Sequence, residues 1–144
     1  MATDSKKTGE IQQRLNDFGA RVTRVAKMLP ETTEGRYISR QVMRSGLAAA
    51  PNYAEARAAE SRADFVHKLR VVLKELNETQ SWLEQIVANE LFTREKMGKL
   101  IAENQELCWI VGRGQSNLRL RISDLRCRIG PISDSSERWM SQVY

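Results

Sequence analysis

Ile11, Leu15, Phe18, Val22, Val25 and Leu29 recur at steps of four, three, four, three and four. At 3.6 residues per turn this spacing puts all six on one face, so the segment reads as an amphipathic helix of about five turns that must bury its stripe. Pro30 ends it, because proline has no backbone N–H and crowds the preceding turn. Glu31 to Gly35 then forms a link in which Thr32 or Thr33 can accept a backbone N–H and cap a second helix.

That second helix is expected from about Glu34, with Ile38, Val42, Ser45 and Ala49 inward. Its small residues Ser45, Gly46 and Ala48 to Ala50 let a neighbour approach closely, while Pro51 leaves the carbonyl of residue 47 without its usual donor and is expected to bend or break the helix. A third helix places Phe65, Leu69, Val72, Leu76, Leu83 and Ile86 on one face and reaches about Asn89. Thr93 opens a fourth, in which Met97, Leu100, Asn104, Leu107 and Val111 repeat at helical spacing.

Four helices with short links predict an all-α, antiparallel up-down four-helix bundle with a flexible or irregular C-terminal tail. The expected division is an N-terminal tail over 1–9, the bundle over 10–120 and a basic C-terminal extension over 121–144. From Asn117 to Ile129 apolar residues alternate with arginine as in a strand, yet Leu118, Ile122, Leu125 and Ile129 also fit a helix, and the reading adopted ends the fourth helix near Leu120.

The net charge of +5 is uneven. Residues 1–44 carry nine Lys/Arg against five Asp/Glu, residues 45–117 nine against ten, and residues 118–144 five against three. A basic face attracts phosphate, so RNA or DNA is an expected partner. No apolar run approaches the length of a membrane span and the N-terminus has no apolar signal core, so a cytoplasmic protein without membrane contact is expected. Cys108 and Cys127 have no Cys-x-x-Cys spacing and read as free thiols.

The arginines carry the binding hypothesis. Arg36, Arg40 and Arg44 form a straight i, i+4, i+8 stripe on the second helix, Arg21 and Arg24 lie near Arg14 on the first, and Arg119, Arg121, Arg126 and Arg128 follow at the far end. Guanidinium groups suit bidentate phosphate contacts, although neither a glycine-rich phosphate loop nor a stacking array accompanies them. The catalytic candidates are weaker. His67 follows Asp64 by three residues, but one histidine cannot build a bundle di-metal site, and Ser61 with Asp64 fits a capping box at the start of the third helix. Glu75 and Glu78 share a face that Glu55 could approach, and Asn52 with Glu55 reads as a polar cluster tying helices together. No catalytic residue, metal or cofactor is expected.

Gln41-Val-Met-Arg-Ser-Gly46, Ala50-Pro-Asn-Tyr-Ala-Glu-Ala56, Ser61-Arg-Ala-Asp-Phe-Val-His-Lys-Leu69 and Glu78-Thr-Gln-Ser-Trp-Leu83, in that order, resemble the bacterial proteins encoded within intervening sequences of large-subunit ribosomal RNA genes. The resemblance runs from Phe18 to about Leu120. It implies a left-handed four-helix bundle assembling as a homopentamer and, through relatives that accompany retroelements, a basic surface engaging nucleic acid and a reverse transcriptase. The family's Asn-x-x-Glu falls on Asn52 and Glu55 and its arginine on Arg44, whereas Ala56 stands where many members have glycine. The expected function is a non-enzymatic homo-oligomer that binds RNA or DNA. The alternative is a scaffold, such as a reverse-transcriptase accessory protein, with no direct nucleic-acid role.

Overall fold

A computed structural model describes the backbone of residues 2–126 and the side chains of residues 5–116, so residues 127–144 of the expected C-terminal extension and the side chains of all its arginines lie outside the described residues. The described residues form four helices, α1 (Ala2–Met28), α2 (Thr33–Arg57), α3 (Arg62–Ala88) and α4 (Arg94–Arg126). Each packs on its sequence neighbour and α4 returns to α1, so among the described residues the four close a ring with no approach across its diagonals, the order of an up-down bundle. The α1–α4 seam is the sparsest.

The predicted stripes line the core. Leu15, Phe18 and Val22 of α1 and Leu29 just past its end meet Ile38, Val42 and Ala49 of α2, Leu69, Val72, Leu76, Leu83 and Ile86 of α3, and Met97, Leu100, Leu107 and Val111 of α4, all buried, while Ile11, Val25 and Phe65 of the same stripes are partly buried against them. The small residues of α2 act as expected. A Cβ added at Gly46 would lie 2.7 Å from Val22 Cγ1, so α1 and α2 touch there at a distance that only glycine permits.

Three elements differ from the sequence reading. First, α1 runs back to Ala2, through the stretch expected as a tail, continuing without a breaker because Gly9 alone does not stop a helix. Second, α4 runs six residues beyond Leu120 to Arg126, so that the alternating Leu-Arg segment continues as helix that far. Third, α2 passes through Pro51 without a break. Pro51 is exposed, so its ring faces away from the core. Buried Ala49, Ala50, Tyr53 and Ala56 on the opposite side hold the turn. Two amides meet carbonyls beside it, Asn52 Nδ2 donating to Ala48 O at 2.7 Å and Gln12 Nε2 of α1 to Ala50 O at 3.0 Å.

The links are capped by side chains. Thr32 Oγ1 accepts from Gly35 N at 3.1 Å, Ser61 Oγ from Asp64 N at 3.1 Å and Thr93 Oγ1 from Lys96 N at 3.2 Å. At the end of α3, Glu90 adopts φ 55°, and Leu91 N and Glu90 N donate to Ile86 O and Val87 O, which closes the helix in a Schellman turn without glycine.

Four buried polar side chains, Ser45, Thr79, Asn104 and Gln115, interrupt the core among the described residues, and two contacts among them join helices. Thr79 Oγ1 lies 2.8 Å from both Ser45 Oγ of α2 and the carbonyl of Glu75. Asn104, fully buried on α4, donates to Leu76 O at 3.0 Å and Gln80 Oε1 at 2.9 Å. Because a buried polar group demands its partner, the two fix the facing of α2 on α3 and of α3 on α4 more sharply than aliphatic contacts can.

Candidate functional site

With Ile38, Val42, Ser45 and Ala49 turned inward, positions 36, 40 and 44 fall on the outer face of α2, and all three arginines are exposed. The stripe is straight, but its members do different things. Arg44 leans onto α3, where Nη1 stands 3.8 Å from Glu75 Oε2 and Nη2 pairs with Glu78. Its Nε donates to Gln41 Oε1 at 3.3 Å. Trp82 Nε1 also donates to Glu78 at 3.3 Å, and the Trp82 ring meets Tyr37 edge-on at 5.8 Å and 73°. Arg44 is therefore the centre of an α2–α3 clamp, flanked by two carboxylates.

Arg36 turns the other way. Its Nη1 donates to the Glu31 carbonyl oxygen at 3.1 Å and stands 3.8 Å from the Glu31 carboxylate, which is 88% exposed. An ion pair so open to water contributes little and leaves Arg36 able to change partner. Arg40 has no carboxylate within ion-pair reach among the described residues, and neither do Arg21, Arg24 and Lys27 of α1.

Where α1 ends and α2 begins, Lys27, Arg36 and Arg40 rim a cleft of about 360 Å³ together with Glu31. Ser39, also lining it, donates to the Ala26 carbonyl at 3.0 Å and is thereby tied to α1.

The other singled-out residues disperse. Asn52 bonds within its own helix, whereas Glu55 reaches α3 through Lys68 Nζ at 2.6 Å, so the two do not form one cluster. Glu55 also stays away from Glu75 and Glu78, whose approaching partner from α2 is Arg44. Ser61 and Asp64 make the expected N-cap contact and place an acid in the first turn of α3. His67 is exposed, and among the described residues no group of three His, Cys, Asp or Glu stands close enough to hold a metal ion. Burial pushes the Cys108 thiol up to about 11, far from the range of a reactive thiolate.

Arg14 is a structural residue. It bonds Glu103 through Nε at 3.1 Å and Nη2 at 2.9 Å and also reaches Glu106, which closes the sparse α1–α4 seam, and the Glu103 bond raises its pKa above the ordinary arginine value. Across the next seam Arg94 pairs with Glu84 at 2.6 Å and holds that carboxyl below its usual range. Sequence reasoning missed Lys27 and Glu31 as site residues. The available signal was their position on either side of Pro30, where two helix ends must meet. No helix of the described residues is long and apolar enough to cross a membrane.

Residues 7–113 match the family described as "23S rRNA-intervening sequence protein". A solved structure from Bacteroides thetaiotaomicron, a protein with unknown function from the S23 ribosomal protein family, is similar at 32% identity, with 73% of this chain and 97% of that chain covered and a TM-score of 0.69. Among curated proteins none matches the chain.

Proposed function

The chain belongs to the 23S rRNA-intervening sequence protein family, and on that footing we propose that it is a non-enzymatic, cytoplasmic bundle protein that binds RNA or DNA through the basic corner of α1 and α2. Arg21, Arg24, Arg36 and Arg40 make the phosphate contacts. The observation that carries this reading is the contrast between arginines: Arg44 is flanked by Glu75 and Glu78, whereas Arg40 of the same stripe and Arg21 and Arg24 of α1 have no carboxylate partner among the described residues. Guanidinium groups that are unpaired, or held as loosely as Arg36 is by Glu31, suit a polyanion. Recognition rests on charge, so binding tolerates sequence. Exposed Met28, Tyr37 and Leu47, on the same two helices, fit burial in a homo-oligomer, for which the family resemblance favours a pentamer.

Labelled single-stranded RNA tests this in an electrophoretic shift repeated across salt. Binding is expected near ~50 mM salt, with log affinity falling against log salt at a slope of about −3 for four phosphate contacts. The absence of a shift at ~50 mM overturns the reading. The second reading, a scaffold or reverse-transcriptase accessory protein without direct nucleic-acid contact, draws support from the Arg44 clamp, since glutamates of a neighbouring subunit could neutralise Arg36 and Arg40 in the same way.

A further inference from the structure

We infer that the cleft between the end of α1 and the start of α2 is a pocket for a terminal phosphate of a nucleic acid strand, an inference that rests on the nucleic-acid reading and sharpens it. The cleft, at about 360 Å³, lies at the small end of ligand pockets, which run from about 300 to 1,000 Å³. It has room for one nucleotide end and not for a duplex backbone.

Its charges favour an end over an internal position. Three cations, Lys27, Arg36 and Arg40, face one carboxylate, Glu31. A terminal phosphomonoester carries about −1.5 to −2 at pH 7, because its second pKa is about 6. An internal diester carries a single charge, so the same three cations attract the end roughly twice as strongly before desolvation. Glu31 does not block the site. Its pair with Arg36 spans 3.8 Å between exposed groups, and an incoming phosphate, offering bidentate oxygens, is the stronger partner for a guanidinium.

The rest of the wall discriminates as well. Leu29, Pro30 and Met43 supply an apolar side against which the terminal base can lie, Met43 being the adaptable one. Ser39 is spent on the Ala26 carbonyl, so its proton is not offered to the ligand and recognition falls to the cations. Arg21, half-buried, and Arg24, exposed, do not line this cleft, which separates the corner from the arginines further up α1.

The test compares RNA oligonucleotides of one sequence bearing a 5′-phosphate, a 3′-phosphate or hydroxyls at both ends, by fluorescence anisotropy with the full-length protein at fixed salt. At least one phosphorylated oligonucleotide is expected to bind about tenfold more tightly than the hydroxyl form, the worth of one added charge-assisted hydrogen bond. In R40Q the ratio should fall towards one, with the melting temperature close to that of the parent because the replaced side chain is exposed. Equal affinity for all three oligonucleotides overturns the pocket and leaves the basic-face reading standing. Binding of none overturns both.

Discussion

Gly35→Ala is expected to lower the unfolding free energy by about 3 kcal/mol and the melting temperature by about 6–12 °C, read by circular dichroism. A Cβ at this position would sit 2.1 Å from the Pro30 carbonyl oxygen, 3.1 Å from its carbon and 3.0 Å from Thr32 Oγ1. The obstacle is backbone, which cannot rotate aside, so the first turn of α2 has to move. That movement breaks the cap in which Gly35 N donates to Thr32 Oγ1, worth about 1 kcal/mol. Alanine's higher helix propensity returns about 1 kcal/mol and does not offset the clash. Gly98→Ala is the control: nothing lies within 4 Å of its added Cβ, so the same exchange should leave stability equal or higher. Because Gly35 also lines the corner cleft, nucleic-acid affinity should weaken along with stability. A Gly35→Ala protein as stable as its parent would contradict the close approach of α2 to Pro30.

Reversing charge at the corner should be the largest functional effect. Arg36→Glu with Arg40→Glu is expected to weaken RNA binding about a hundredfold near ~50 mM salt, since each lost contact to a charged group is worth about 1.5 kcal/mol or more and each new carboxylate repels phosphate. The fold should not be disturbed. Arg36 is 53% exposed and bonds only across the loop to Glu31, and Arg40 is exposed without an ion-pair partner among the described residues. Anisotropy titration beside a melting curve separates the outcomes. Lost affinity with an unchanged melting temperature supports the corner as the binding face, and unchanged affinity removes Arg36 and Arg40 from it.

The fold was legible because the information that makes it is local and periodic. Four apolar stripes named most of the large buried residues, missing Tyr53, Leu73 and Ile101, and Thr or Ser before each of α2, α3 and α4 marked its start. What local pattern cannot supply is the facing of one helix on another. Glu75 and Glu78 were recognisable as a pair on one face, but their partner depended on register. Once Ser45 lies against Thr79, each step down α2 is a step up α3, so Arg44 arrives at Glu78 while Glu55 is carried to Lys68. The polar contact that sets this register was itself hidden: Thr79 fills the one gap in the α3 stripe, and a gap reads as noise until its partner is seen. Pro51 misled for a related reason. The cost of a missing N–H is a property of the residue, but whether the helix breaks depends on how firmly the opposite face is packed. The cleft at Pro30 needed two helix ends brought together in space, and a periodic reading of either helix alone does not contain it.

The central claim is a division of labour along one stripe, in which Arg44 locks α2 to α3 while Arg36 and Arg40 meet phosphate. The salt dependence of RNA affinity for Arg44→Gln tests it most directly. With Arg44 held by Glu75 and Glu78, its loss should cost the bundle up to about 1 kcal/mol yet leave the slope of log affinity against log salt equal to that of the parent protein. A slope shallower by about 0.7, the loss of one single-strand phosphate contact, with an unchanged melting temperature, would place Arg44 on the ligand and contradict the account.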